Sequence, residues 1–126
     1  MIAADAVRIL IVDDDEGLRE LARRRLQKHA YGVYCAGTLA EARTLLLRQE
    51  FDLYIIDYQL AESMTGLDFY AELRAQGSTV PAIMCSGFSD DMHDAQAKAL
   101  GVTCVLPKSP DYLDALPALV ERVLNS

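Results

Sequence analysis

Phe51-Asp-Leu-Tyr-Ile-Ile-Asp57 is the stretch whose reading decides the fold. Its apolar run, Leu53 to Ile56, is bounded by acids and too short for a helix of ordinary length. A run of this kind suits a strand buried on both faces, as in a parallel sheet covered by helices. Asp57 then lies just past the strand, at the sheet edge where open α/β folds place their chemistry.

Upstream, Val7-Arg-Ile-Leu-Ile-Val12 is a first strand, halted by Asp13-Asp14-Asp15. Leu18, Leu21, Ala22 and Leu26 recur at helical spacing and predict a helix from about Glu16 to Lys28. Asp15 is a suitable N-cap, and Glu16 and Glu20 favour the positive end of the helix dipole. Tyr31 to Ala36 reads as a second strand, Gly37 turns the chain, and Thr38-x-x-Glu41 is a capping box opening a helix through Leu45 and Leu46.

Downstream of Asp57, a loop from Tyr58 to Thr65 leads into a helix from Gly66, closed by Gly77-Ser-Thr. Pro81 introduces a fourth strand, Ala82 to Cys85, stopping at Ser86-Gly87. A polar helix is predicted from about Asp90 to Leu100, then a fifth strand from Thr103 to Leu106. After Pro107-Lys108-Ser109-Pro110, a last helix carries Leu116, Val120, Val123 and Leu124 on one face. Pro117 interrupts that pattern and predicts a kinked or delayed helix, because it removes a backbone donor. Strict alternation of strands and helices implies right-handed crossovers and a five-stranded parallel sheet with helices on both faces.

The 126 residues read as one domain over 1–126, with a core from about 6 to 125. A net charge of -7 argues against a nucleic-acid surface, which needs clustered Lys and Arg. The basic cluster Arg23-Arg24-Arg25 sits among acids and reads as a solvated helix face. No apolar segment is long enough to span a membrane and the N-terminus lacks a signal pattern, so a cytoplasmic location is expected. Cys35, Cys85 and Cys104 all fall in predicted strands, where free thiols pack as small apolar residues. His29 and His93 read as surface residues, and Tyr31, Tyr34, Tyr54, Phe69 and Tyr70 mostly as packing residues.

All strand C-termini of a parallel sheet lie along one edge. Asp13 and Asp14 therefore converge with Asp57, Ser86-Gly87 and Lys108, from four separate loops. Three acids together repel and raise one another's pKa unless a cation neutralises them. Mg²⁺ suits such a set, since it binds a few carboxylates and keeps room for a phosphoryl oxygen. Asp57 becomes a nucleophile toward phosphorus, with Lys108 and the Ser86 hydroxyl stabilising charge on phosphoryl oxygens.

These residues resemble the receiver domains of response regulators in two-component signalling. The match runs over essentially the whole chain: Val12-Asp13-Asp14, Ile56-Asp57, Gly66, Ser86-Gly87 and Lys108. The resemblance implies a doubly wound, flavodoxin-like α/β fold with strand order 2-1-3-4-5. It implies Mg²⁺ on Asp13, Asp14, Asp57 and the backbone carbonyl of Gln59. Phosphorylation of Asp57 would come from the phosphohistidine of a histidine kinase or histidine phosphotransfer protein in a phosphorelay. Ser86 and Lys108 would contact the phosphoryl oxygens, and Gly87 would keep access open. Such a chain is a phosphoacceptor rather than an enzyme, catalysing only its own phosphorylation and dephosphorylation. Its output would run through the fourth helix, fifth strand and fifth helix, with Ser89 to Gln96 as the switching segment. Recipients would be a downstream protein or a missing effector domain, with a homodimer through the same face also open.

Four positions depart from the family. Val105 stands where an aromatic ring usually swings with the Ser/Thr hydroxyl, and it cannot repeat that motion. Ser109 replaces the proline after the lysine; a cis bond here would cost about 3 kcal/mol, so trans is expected, with Pro110 or Asp111 starting the last helix. Ala61 stands where proline is common, in a loop one residue longer than usual, and Thr65 replaces an acid before Gly66. Two other functions compete. One is a Mg²⁺-dependent phosphohydrolase of haloacid-dehalogenase type with Asp13 as nucleophile, read from Asp13-x-Asp15. Gly17 occupies the place where that motif needs Thr or Val. The other is a pseudo-receiver adaptor that binds partners without phosphorylation. A nucleotide-binding Rossmann fold lacks its Gly-rich loop after the first strand.

Overall fold

A computed structural model describes residues 6–87 and 91–125, with the side chains of residues 91–94 left out of the description. The elements alternate as β1 (Arg8–Val12), α1 (Glu16–Gln27), β2 (Gly32–Ala36), α2 (Leu39–Arg48), β3 (Leu53–Asp57), α3 (Gly66–Ala75), β4 (Ala82–Ser86), α4 (Asp91–Ala99), β5 (Cys104–Pro107) and α5 (Tyr112–Leu124). The sheet has order β2-β1-β3-β4-β5, every pairing parallel. This is the doubly wound topology expected from the sequence.

The period of two along a strand explains why the central runs are apolar throughout. Leu10, Val12, Tyr54, Ile56 and Met84 face one core with Leu39, Ala42, Phe69 and Tyr70 from α2 and α3. Ile9, Ile11, Leu53, Ile55 and Ile83 face the other, with Ala22 and Leu26 of α1 and Leu116 and Val120 of α5. On α1 the helical spacing is only partly used inward, since Leu21 is exposed.

Local signals differ from expectation at three places. Thr38 caps α2 by accepting the Glu41 N–H, but the Glu41 carboxylate reaches past Thr38 to the N–H of Gly37. The full reciprocal box lies instead at Thr65 and Asp68, ahead of α3. Pro117 does not delay α5, which starts at Tyr112 and runs through it. An interior proline costs about 3 kcal/mol. Burying Leu113, Leu116, Leu119, Val120 and Val123 outweighs that, at roughly 1.5–3 kcal/mol each. Asp90 and Ser89, named above for the fourth helix and its switching segment, lie outside the described residues.

Gly66 fixes the end of β3. Its N–H donates to the Tyr58 carbonyl at 2.8 Å. A Cβ there would come within 2.0 Å of the Asp57 carbonyl oxygen and 2.7 Å of Ile56 Cγ2. The first turn of α3 can therefore rest on the strand end only because no side chain intervenes.

Candidate functional site

The C-terminal edge of the sheet gathers the predicted residues, with one refinement of their positions. Asp13 and Lys108 follow β1 and β5, whereas Asp57 and Ser86 are the last residues of β3 and β4 themselves. Asp57 pairs in register with Cys85, which puts Ser86 one residue further along the neighbouring strand. Strand membership holds both backbones rigidly, which a loop position would not.

Asp13, Asp57 and Ser86 are the buried polar side chains among the described residues. Asp13, Asp14 and Asp57 each offer a carboxylate oxygen, and these lie within 4.8 Å of one another. Lys108 Nζ bridges two of them, 3.0 Å from Asp13 Oδ2 and 3.1 Å from Asp57 Oδ2. The remaining oxygens accept backbone donors: Asp13 Oδ1 takes the Asp15 N–H at 2.9 Å and Asp57 Oδ1 the Gln59 N–H at 3.3 Å. Asp14 is exposed and Asp15 is the helix cap, accepting the Leu18 N–H at 3.0 Å. Asp13, Asp14, Asp57, Gln59, Gly87 and Lys108 line a cleft of about 390 Å³.

Burial pushes the Asp57 carboxyl up to about 6, Lys108 pulls it back, and Asp13 adds to the rise. Burial acts to lower the Lys108 pKa, but hydrogen bonds and attraction to Asp13 and Asp57 outweigh it and raise that pKa. The sequence reading overlooked Tyr112. It is buried in the first turn of α5, with its ring centroid 5.9 Å from Lys108 Nζ. Burial, against the pull of Lys108, raises its hydroxyl to about 12. An aromatic residue four positions after the lysine was the available signal.

The response regulator receiver domain family model matches residues 9–120. The chain is a receiver domain. Among curated proteins it is 37% identical over 108 residues to the alginate biosynthesis transcriptional regulatory protein AlgB of Pseudomonas putida, a match covering 84% of this chain and 24% of AlgB. It thus spans about a quarter of that relative's length. The non-phosphorylated HemR receiver domain of Leptospira biflexa superposes with a TM-score of 0.86 at 30% identity, covering 95% of each chain. TrrA of Thermotoga maritima, a response regulator solved in complex with Mg²⁺-BeF, gives 0.78 at 28% identity over 92% of this chain and 97% of that one. These matches support neither the haloacid-dehalogenase-type phosphohydrolase nor the unphosphorylated adaptor. Receiver domains are phosphoacceptors rather than enzymes in the usual sense, and this one is part of two-component signalling. Among the described residues no helix is long and apolar enough to cross a membrane.

The departures from the receiver pattern have local explanations. The Lys108–Ser109 bond is trans, with Ser109 Oγ donating to Asp111 Oδ1 at 2.9 Å and its carbonyl accepting the Tyr112 N–H at 3.0 Å. Asp111, not Pro110, is the N-cap position of α5, though its side chain makes no capping bond. Val105 is half-buried and packs on the core beneath α4. The long loop before Gly66 is tied down by Glu62, whose carboxylate accepts the Leu39 N–H at 2.8 Å. Thr65, in place of an acid, supplies the capping box.

Proposed function

We propose that this receiver domain takes a phosphoryl group onto Asp57 from the phosphohistidine of a histidine kinase or histidine phosphotransfer protein. The observation that carries the reading is Lys108 Nζ bridging buried Asp13 and Asp57, with Asp14 alongside. In the transfer an Asp57 carboxylate oxygen forms the new P–O bond, the P–N bond breaks, and its electron pair returns to the imidazole. A carboxyl with its pKa near 6 is mostly ionised at neutral pH and a better nucleophile than an ordinary aspartate. Lys108, held between two acids, can turn to a phosphoryl oxygen without crossing the cleft. Ser86 at the end of β4 provides a hydroxyl toward the same group.

The donor set fits Mg²⁺. Two hard carboxylates share one ammonium and a third lies beside them, so the cluster carries excess negative charge that a divalent ion offsets. Asp13, Asp14, Asp57 and the Gln59 carbonyl would hold it, in keeping with the Mg²⁺-BeF complex of TrrA. When bound, it would polarise the phosphoryl group and lower repulsion between the acids. The phosphorylated domain would then change partner affinity through α4, β5 and α5, most plainly in a cytoplasmic setting. The further effector of such a signal would be a partner protein or a linked domain, since the match spans only about a quarter of the transcriptional regulatory protein AlgB.

Radiolabelled acetyl phosphate tests this directly. Wild-type protein is expected to take up label with Mg²⁺, to take up none when EDTA is present from the start, and to take up none as Asp57→Asn. Undiminished labelling of Asp57→Asn removes the assignment.

A further inference from the structure

The metal-side acid Asp13 is held by more than the side chains that touch its carboxylate. Its N–H donates to the Ala36 carbonyl at 3.1 Å, extending the β1–β2 ladder by one step. Its own carbonyl accepts Arg19 Nη1 at 2.8 Å. Arg19 lies one turn into α1, and its backbone N–H donates to the Asp15 carbonyl at 3.0 Å. The segment from Asp13 to Asp15 is thus clasped by one residue, through side chain at one end and backbone at the other.

Gly37 follows Ala36, the strand residue whose carbonyl takes the Asp13 N–H. A Cβ on it would stand 2.7 Å from Arg19 Nη1 and 3.0 Å from Cζ. Those distances are below any ordinary carbon contact, so the guanidinium fills the space a side chain at position 37 would take. The clash is with the far end of a flexible side chain, not with backbone. Gly37 has no positive φ, so alanine is accessible to its backbone.

We propose that Arg19 is a positioning residue for Asp13, setting its carboxylate for the divalent ion, and that Gly37 is the notch admitting its guanidinium. The role rests on the Mg²⁺ reading of the site given above. Without Arg19 the partly buried Asp13 carbonyl loses its partner and the loop can rotate about the strand end, moving a carboxylate that must meet two others. A cation one step behind the acids also lowers their mutual repulsion. Residues that orient a metal ligand typically change metal affinity about tenfold or more when removed.

The alternative is that Arg19 merely satisfies a loop carbonyl, in which case its loss lowers stability and leaves metal affinity alone. Two substitutions separate these. Arg19→Ala removes the guanidinium and Gly37→Ala displaces it, so each leaves the Asp13 carbonyl without its donor and should lower urea stability. The loss should be smaller in Gly37→Ala, because alanine restricts the unfolded chain. Metal affinity is what tells the two roles apart. Mg²⁺ affinity is read by amide chemical-shift titration of wild type, both single variants and the double variant. Both single variants are expected to bind about tenfold more weakly. The double variant should bind no more weakly than Arg19→Ala, because both changes remove one contact. Arg19→Lys should recover part of the loss. Wild-type binding matched within twofold by both single variants overturns the role of Arg19 while leaving the metal reading intact. A further loss in the double variant overturns the notch. A wild type that binds no Mg²⁺ overturns the metal reading and the positioning role together.

Discussion

Two sets of ion pairs on this fold have nearly equal lengths and different consequences. Arg25–Asp114 and Arg43–Glu72 join neighbouring helices at 2.9 and 3.0 Å, with side chains between 31% and 68% exposed. Lys108 meets Asp13 and Asp57 at 3.0 and 3.1 Å, with exposures of 16%, 9% and 8%. Pairs of the first kind are screened by water and contribute about 0–1 kcal/mol each. At the sheet edge each charge has lost most of its hydration, and one ammonium serves two carboxylates with a third beside them. Distance alone therefore says little. The helix pairs are closed, whereas the edge is left short of positive charge, and this makes it receptive to a cation.

The sharpest way to break that contrast is Lys108→Ala. Stranding the buried carboxylates should cost about 3 kcal/mol in urea unfolding at pH 8. At pH 5 the cost should shrink, because Asp57, already at about 6 and rising further without its cation, is protonated there. An equal loss at both pH values would assign the effect to packing of the lysine stem.

Gly66→Ala is the steric control. A Cβ 2.0 Å from the Asp57 carbonyl forces α3 off the strand end and should cost about 2–3 kcal/mol, with no pH dependence between 5 and 8. A cost that follows pH would mean the strain is transmitted to the carboxylates.

Asp57→Asn should act in the opposite direction. The folded carboxyl titrates above its unfolded value, so the native state binds more protons between about 4 and 6. Wild-type stability from this group therefore falls as pH rises through that window. Without Mg²⁺, Asp57→Asn should be more stable than wild type by about 2 kcal/mol at pH 8, and level with it near pH 4. A destabilised variant at pH 8 would show that Lys108 fully compensates the buried charge.

The smallest effects belong to the helices. Arg25→Ala and Arg43→Ala should each cost under about 1 kcal/mol, and less in high salt. Arg43 should be the larger, since its guanidinium also lies 5.6 Å from the Phe69 ring centroid. A salt-independent loss above 2 kcal/mol at Arg25 would erase the distinction between the two sets.

How far the sequence foretold this follows from the range of each interaction. The runs at Leu53 to Ile56 and Ile9 to Val12 announce buried parallel strands because burial on two faces demands apolar residues at every position. Asp57, Asp13 and Lys108 were legible once those strands were placed, since topology alone brings their ends together. Tyr112 and Arg19 were not, although their partners Lys108 and Asp13 are near them in the chain, because where a ring or a guanidinium lands depends on how α5 and α1 pack against the sheet. Glu41 looked like a box partner for Thr38, and spacing could not show that its carboxylate would extend to Gly37. Gly37 read as a turn and Gly66 as a helix start; only coordinates reveal what a Cβ would strike. The delay expected from Pro117 failed for the reverse reason, as a local penalty was overridden by a long buried face.

The central claim is that Asp57 is the residue that receives phosphorus. Borohydride reduction of protein treated with acetyl phosphate and Mg²⁺, followed by peptide mapping, reads that position directly. Conversion to homoserine at Asp57 is the predicted result, and conversion at Asp13, or at neither, would contradict it.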